Sequence, residues 1–250
     1  YKNADLIVIW GKQPVYSGAS KSSVKGLVDA KGRGAKIVSI KPTVEPDVAL
    51  SDIWVPVRPG TDAALALGML NVIINESLYD AAFVSQWCYG FDELQQHVQQ
   101  YTPEWAEQIS GVPADQIREV ARLYATTPKA TIDHGNGFEH APSCNDAIRA
   151  VAAIIAITGH LDKPGCNVWG QKSGMPSPNP VVLRERYTQE FVNKLVGPEF
   201  PLALEPWIEG TSTAYYRVFD SILNEKPYAI RAVIAPGSQA THAIIDGSFG

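Results

Sequence analysis

Asp5-Leu6-Ile7-Val8-Ile9-Trp10-Gly11 is an uninterrupted apolar run between one acidic residue and a glycine. Its length and its β-branched residues predict a strand that is buried on both faces, as the strands of a parallel sheet are. A predicted helix follows over residues 21–31, and a second predicted strand occupies residues 35–40. This spacing is typical of a βαβ unit with a right-handed crossover.

Beyond this unit, the chain continues to alternate apolar runs with helical patterns. A short strand is predicted at 53–57, a strong helix at 63–75, and a second strand–loop–helix unit over 129–158. We therefore predict an α/β protein with Rossmann-like parallel sheets and flanking helices. Further predicted elements are helices at 80–87, 91–99, 104–109, 114–124 and 213–223 and a strand at 228–234.

These elements divide the chain into two predicted regions. Residues 1–128 are expected to form a first Rossmann-like dinucleotide-binding region with a helical insert. Residues 129–250 are expected to form a second α/β region that is incomplete at its C-terminus. With 250 residues, the chain is long enough to bury a substantial core in either arrangement.

Composition excludes several classes of function. The net charge of −5, from 21 basic and 26 acidic residues, argues against a protein that follows a nucleic-acid backbone. No apolar run reaches the roughly 20 residues that a membrane-spanning helix requires, so we expect no direct membrane insertion. The three cysteines lack C-x-x-C spacing, and His134, His140 and His160 are too scattered to predict a metal site.

Three glycine-bearing loops follow predicted strands, after Trp10, after His134 and after Ile234. Ligands of open α/β sheets bind beyond the carboxyl ends of the strands, where glycines let backbone N–H groups approach a phosphate. Glycines that only permit a tight turn give the same pattern. The three loops together predict a nucleotide site. Because none of them reads G-x-G-x-x-G, the sequence disfavours a plain NAD- or FAD-binding Rossmann protein.

The segment Arg58-Pro59-Gly60-Thr61-Asp62 puts a carboxylate where a loop turns into a helix. One interpretation is that Thr61 or Asp62 caps the N-terminus of that helix. The other is that the Asp62 carboxylate accepts hydrogen bonds from N1–H and the N2 amino group of guanine, a pair of donors that adenine lacks. Spacing alone favours the cap.

The segment Lys41-Pro42-Thr43 follows the second strand, where dinucleotide folds often carry an acidic residue for a ribose hydroxyl. Lysine at this place indicates either a point charge that meets a phosphate or a solvated side chain. The sequence leaves these two alternatives open.

Four strings in chain order resemble the prokaryotic molybdopterin oxidoreductase family, which includes dimethyl-sulfoxide reductase and formate dehydrogenase. The resemblance implies the fold of the first three domains of those enzymes, and it identifies this chain as similar to a central fragment. The strings are ADLIVIWGKQP at residues 4–14, GAKIVSIKPT at 34–43, SDIWVPVRPGTDAAL at 51–65 and ITGHLDKPG at 157–165.

The resemblance implies a parent protein that holds molybdenum or tungsten between two pyranopterin guanine dinucleotides. Their nucleotide ends would lie on two Rossmann-like domains. Asp62 would read the guanine of the first dinucleotide, which favours the guanine interpretation of this residue over the cap. The other residues that the resemblance assigns to the first dinucleotide are Gly11, Lys12, Gln13, Pro14, Lys41, Pro42, Thr43 and Gly60.

Other loops also match parts of the family pattern. Asn136, Gly137 and His140 resemble a loop on the pterin side of the site, residues 170–173 a segment near the active site, and residues 235–239 the loop for the other nucleotide. Two departures concern the first nucleotide. The family's Asp-Pro-Arg is Lys41-Pro42-Thr43 here, which removes its acidic contact, and its Asn-Pro is Gln13-Pro14.

The family's remaining parts are expected outside this chain. They are an N-terminal domain with an iron–sulfur cluster, the upstream segment that carries the protein ligand of the metal, and a C-terminal domain that closes over both pterins. No catalytic residue is therefore assigned, and the fragment alone is expected to be inactive. The expected partners are those N- and C-terminal domains of the same parent and an iron–sulfur electron-transfer subunit.

Two functions remain open for the parent protein. The first is transfer of electrons or oxygen between a small substrate and a redox partner, in a bacterium or archaeon, in the cytoplasm or at the periplasmic cell envelope. The second is a cofactor-free scaffold related to the large iron–sulfur subunit of respiratory complex I. The loss of the Asp-Pro-Arg carboxylate points to the scaffold, whereas the intact Pro59-Gly60-Thr61-Asp62 points to cofactor binding.

Overall fold

The computed structural model confirms the predicted α/β class. Four parallel strands form one sheet in the order β3-β2-β1-β4. The strands are β1 (Leu6–Trp10), β2 (Lys36–Ile40), β3 (Ile53–Val55) and β4 (Ala130–His134). The structure describes residues 1–16, 21–141, 143–168, 188, 190, 193–194, 216–226 and 228–234.

The central strand β1 is buried along its whole length, as its continuous apolar run predicts. Its last residue, Trp10, lies opposite Ile40 of β2 on one side and His134 of β4 on the other. Because all four strands run the same way, their carboxyl ends meet at a single edge of the sheet. The loops that follow the strands are therefore brought together at that edge.

Helices connect the strands of the sheet, and further helices follow β4 along the chain. The predicted helices are confirmed with shifts of one to three residues at their ends, and a short helix after β4 is additional. The helices are α1 (Lys21–Gly32), α2 (Asp62–Asn75), α3 (Ala81–Trp87), α4 (Phe91–His97), α5 (Pro103–Ser110), α6 (Ala114–Thr126), α7 (Asn136–Glu139), α8 (Cys144–Ile157) and α9 (Tyr216–Asn224). None of the helices that the structure describes is both long and apolar enough to cross a bilayer.

The described core residues form two hydrophobic clusters, and helix α2 lies at the centre of the larger one. It packs against α5, α6 and α8, and most of its residues are buried. Gly68 makes the contact with α5 close: a Cβ at this position would lie 2.7 Å from Cβ of Ala106. The apolar stripe predicted on α6 is confirmed, since Ile117, Val120 and Tyr124 are all buried.

The organisation of the chain differs from the predicted division at residues 128 and 129. Strand β4 pairs with β1, so the unit that begins near residue 129 extends the first sheet and does not start a new one. The chain instead separates into the compact units Tyr1–Gln171 and Lys172–Gly250. Residue spacing predicts strands but not the strands with which they pair, so it could not show that β4 belongs to the first sheet.

The strand predicted at 228–234 is not observed. No strand that the structure describes pairs with these residues, and Ile234 is 90% exposed. An apolar run is stable as a strand only when a neighbouring strand takes up its backbone hydrogen bonds. The prediction was therefore wrong for the described residues of this segment.

Candidate functional site

A cavity of about 360 Å³ opens at the carboxyl edge of the sheet. The loops after β1, β2 and β4 line it, together with the loop that leads from β3 to α2. Its lining includes most of the residues that the resemblance assigned to a cofactor. They are Gly11, Lys12, Gln13, Lys41, Pro42, Thr43, Asp62, Asn136 and Gly137, with Ile40, Glu45, Val57, Pro59 and Gly135 in addition.

Asp62 is the first residue of α2, and its side chain is held by an aromatic residue. The indole Nε1 of Trp10 donates to Asp62 Oδ1 at 2.8 Å, and Asp62 is only 5% exposed. Burial raises the pKa of Asp62, and the hydrogen bonds from Trp10 and from the backbone oppose that rise. The site thus presents a desolvated carboxylate with a fixed orientation.

The helix-cap interpretation of this segment is not supported. Thr61 is the N-cap residue of α2, and its side chain makes no capping hydrogen bond. Its hydroxyl instead donates back to the carbonyl of Arg58 at 2.6 Å. Asp62 follows the cap as the first helical residue. Its carboxylate accepts from the indole of Trp10 and lines the cavity.

Trp10 is a site residue that the sequence analysis missed. It is fully buried at the end of β1 and makes an edge-on contact with Phe138, with ring centroids 5.4 Å apart. A buried tryptophan normally finds an acceptor for its indole N–H, and here the acceptor is Asp62. The signal was a tryptophan at the last position of an otherwise aliphatic strand.

Lys41 does not behave as either sequence interpretation proposed. It is 3% exposed, and its ammonium group donates to Asp47 Oδ2 at 2.7 Å, to the carbonyl of Lys12 at 2.7 Å and to Glu45 Oε2 at 3.1 Å. Three acceptors match the three N–H donors of an ammonium group. Lys41 is therefore neither solvated nor available as a point charge for a phosphate, and it lines the cavity as a residue with a neutralised side chain.

Glu45 is a second residue that the sequence analysis missed. Its carboxylate lines the cavity five residues beyond the end of β2 and is 35% exposed. The side-chain amide of Gln13 donates to its Oε2, which Lys41 also contacts. The signal was an acidic residue close behind a motif whose usual acidic position is occupied by lysine.

Lys12, the other lysine at the cavity, is also paired. Its ammonium group donates to both carboxylate oxygens of Asp133, at 2.7 and 2.9 Å, and the hydroxyl of Tyr1 donates to the same carboxylate. The cations around the cavity are thus neutralised by neighbours. The carboxylates of Glu45 and Asp62, by contrast, keep acceptor capacity toward the cavity.

The glycines of the first and last loops hold those loops against each other. Gly11 has a φ of +57°, and a Cβ there would lie 2.6 Å from the backbone N of Phe138. The backbone N–H of Gly137 donates to the carbonyl of Gly11 at 3.0 Å, and a Cβ at Gly137 would lie 2.8 Å from that oxygen. Loop packing alone therefore explains both glycines.

Several predicted residues lie elsewhere. Pro14, Gly60 and His140 are not part of the cavity lining, although the carbonyl of Gly60 accepts from Ser143. The segments 170–173 and 235–239 lie outside the described residues. Among the residues that the structure describes, no group of three or more His, Cys, Asp or Glu side chains could hold a metal ion.

The other two histidines considered in the sequence have structural contacts. His134 lies 3.2 Å from Glu139 through Nδ1, at the end of β4. His160 is buried with its Nε2 2.9 Å from the carbonyl of Thr127, and burial lowers its pKa. Neither residue lines the cavity.

Comparisons with known proteins agree with this architecture. Residues 1–199 match the profile of the molybdopterin oxidoreductase family. The chain is 33% identical over 239 residues to acetylene hydratase of Syntrophotalea acetylenica, which covers 88% of this chain and 33% of that protein. It is 31% identical over 245 residues to the molybdopterin-containing subunit of thiosulfate reductase from Salmonella typhimurium, covering 93% and 31%.

Similarity extends to a formate dehydrogenase and to a solved structure. Formate dehydrogenase H of Escherichia coli is 35% identical over 166 residues, which are 66% of this chain and 23% of that enzyme. The structure of acetylene hydratase from Pelobacter acetylenicus superposes with a TM-score of 0.77 at 29% identity, covering 91% of this chain and 34% of that one. The chain spans about a third or less of the length of these relatives. Because residues 1–199 match the family profile, and the sheet and its cavity agree with it, the chain belongs to the molybdopterin oxidoreductase family.

Proposed function

We propose that this chain binds a guanine dinucleotide end of a molybdopterin cofactor, which carries molybdenum or tungsten, in the cavity at the carboxyl edge of the sheet. The observation that carries the proposal is the Asp62 carboxylate, which lines the cavity, is desolvated and is oriented by Trp10. A carboxylate is an acceptor-only group, and the Watson–Crick edge of guanine offers two adjacent donors, N1–H and the N2 amino group. Adenine offers no such pair.

The charges around the cavity support a ligand that donates hydrogen bonds there. Lys12 and Lys41 are each neutralised by carboxylates of the chain itself. Glu45 and Asp62 are the carboxylates of the cavity lining, and they can accept hydrogen bonds from a base and its sugar. Gly11 and Gly137 contribute backbone to the same cavity, although their contact with each other is sufficient reason for both glycines.

We further propose that the parent protein is an oxidoreductase that transfers electrons or oxygen between a small substrate and a redox partner. The bound metal would supply the redox chemistry, and this chain would hold and orient the nucleotide end of its cofactor. An iron–sulfur cluster, further N- and C-terminal domains and an iron–sulfur electron-transfer subunit belong to the same proposal. The relatives are named for three different reactions, as a hydratase, a thiosulfate reductase and a formate dehydrogenase. The proposal therefore names no substrate.

The alternative of a cofactor-free scaffold is less consistent with the site. It rested on the lysine at position 41, which replaces an acidic residue. That lysine is buried and paired with Asp47, so it neither fills nor electrostatically blocks the cavity.

Calorimetric titration of the purified chain with GDP and with ADP tests the nucleotide proposal. We expect GDP to bind at least about tenfold more tightly than ADP, because hydrogen bonds to a charged group contribute about 1.5–3 kcal/mol each. Asp62→Ala should abolish the preference. Asp115→Ala, which removes an exposed aspartate from the first turn of α6, is the matched control and should keep it. Equal affinities for GDP and ADP in the unmodified chain would contradict the guanine-reading role.

A further inference from the structure

The cavity contains a second carboxylate, Glu45, whose position relative to β2 suggests a sugar contact. In dinucleotide-binding α/β folds, an acidic side chain beyond the end of the second strand accepts hydrogen bonds from ribose hydroxyls. Position 41, directly after β2, holds a lysine instead. Glu45 lies four residues farther along the same loop, and its carboxylate lines the cavity.

The contacts of Glu45 orient this carboxylate without exhausting it. Its Oε2 accepts from Gln13 Nε2 and from Lys41 Nζ, the latter at 3.1 Å. Its Oε1 is approached by the hydroxyl of Thr43 at the longer distance of 3.5 Å. Because a carboxylate offers about four acceptor sites, it retains capacity for a further donor. With 35% of the side chain exposed, that capacity is accessible from the cavity.

Lys41 holds the Glu45 carboxylate in place through its hydrogen bond to Oε2. It is buried, and Asp47 at 2.7 Å neutralises its charge independently of Glu45. The lysine therefore contributes a donor that fixes Glu45 but not a free positive charge that would attract a phosphate to this part of the cavity. A ligand group placed here meets an oriented anion, which favours hydroxyl donors over phosphate oxygens.

We propose that Glu45 binds the ribose hydroxyls of the guanine nucleotide, and that Lys41 and Gln13 position its carboxylate. The inference rests on the proposed function, since it concerns the sugar of the same nucleotide. It assigns the acidic contact that Lys41-Pro42-Thr43 lacks to a different residue on the same loop. Asp62 then determines the base, and Glu45 distinguishes a ribonucleotide from a nucleotide without these hydroxyls.

The experiment compares GDP with 2′,3′-dideoxy-GDP by calorimetry on the purified chain. The unmodified chain is expected to bind GDP about tenfold more tightly than the dideoxy compound, as the loss of a hydrogen bond to a charged group predicts. Glu45→Ala should bring this ratio close to one, and Glu45→Gln should give an intermediate ratio because an amide oxygen is a weaker acceptor. Neither variant should alter the preference for GDP over ADP.

Glu119→Ala is the matched control, because Glu119 is exposed on α6 and does not line the cavity. It should leave the ratio unchanged, and thermal unfolding of each variant verifies that it is folded. Equal binding of GDP and dideoxy-GDP by the unmodified chain, with GDP still preferred over ADP, would overturn the role of Glu45 and leave the proposed function standing. Absence of GDP binding would overturn both.

Discussion

Asp47 and Asp62 are both buried aspartates of the same α/β unit, but their surroundings differ. Asp47 is inaccessible to solvent and accepts from the ammonium group of Lys41 at 2.7 Å. Asp62 is nearly as buried, yet its side-chain donor is the neutral indole of Trp10, and its carboxylate lines a cavity. A buried charge with a cationic partner is already compensated within the fold, whereas a buried charge beside a cavity is suited to a ligand.

The largest effect is expected when the pair beneath the cavity is broken. Lys41→Met should lower the free energy of unfolding by about 3–5 kcal/mol, because it leaves Asp47 buried without its cation. Urea unfolding measures the change. The double variant Lys41→Met with Asp47→Leu removes both charges and should regain much of the lost stability. A single variant as stable as the unmodified chain would show that Asp47 does not depend on Lys41.

A smaller effect is expected from the donor that orients Asp62. Trp10→Phe keeps an aromatic ring beside Phe138 but removes the indole N–H, and it should lower the free energy of unfolding by about 1–3 kcal/mol. It should also reduce the preference for GDP over ADP in calorimetry. Trp87→Phe changes an exposed tryptophan at the end of α3 and serves as the control. Unchanged selectivity in Trp10→Phe would contradict the orienting role of the indole.

The smallest effect on stability is expected at Asp62 itself. Asp62→Asn keeps an oxygen that can accept from Trp10, so near neutral pH its free energy of unfolding should stay within about 1 kcal/mol of the unmodified chain. In Asp47→Asn the loss should be larger, because Lys41 then lacks its closest anion. Urea unfolding of the two variants side by side compares the two aspartates directly. Equal losses would remove the distinction between them.

The free energy of unfolding of the Asp62→Asn variant, relative to the unmodified chain, should change with pH in a definite direction. Burial raises the pKa of Asp62 in the folded chain, so its protonated form favours folding. That contribution is fully present below the unfolded pKa and is lost as the pH rises through the folded pKa. The Asn variant should therefore gain stability relative to the unmodified chain as the pH increases. Urea unfolding of the unmodified chain and of the variant over a series of pH values measures this difference.

The strands and the position of the cavity beyond their carboxyl ends could be predicted from local features of the sequence, but the pairing of β4 with β1 could not. Apolar runs defined β1, β2 and β4, and the parallel arrangement brought the loops after them to one edge. The state of the charged residues could not be predicted in this way. Lys41 is buried because of Asp47, six residues away, and of the carbonyl of Lys12, which only the sheet brings near.

The same reason explains the missed residues. Trp10 and Asp62 are 52 positions apart, and their hydrogen bond exists only when α2 packs beside the end of β1. Glu45 is fixed by Gln13, which is 32 positions away. Local spacing contains no information about such pairs, so it gave the cap interpretation of Asp62 and the two interpretations of Lys41 that the structure does not support.

The pairing of β4 with β1 has a consequence for the order of folding. Lys12 and Asp133, at the ends of these strands, are 121 positions apart, and the helices α2 to α6 lie between them in the chain. Contacts of such high sequence separation close late, because the entropy of ordering the intervening chain opposes them. The loop with Gly135 and Gly137 can therefore reach Gly11 only after the intervening helical segment has been synthesised. Ligand binding at this cavity would report that β4 has docked beside β1.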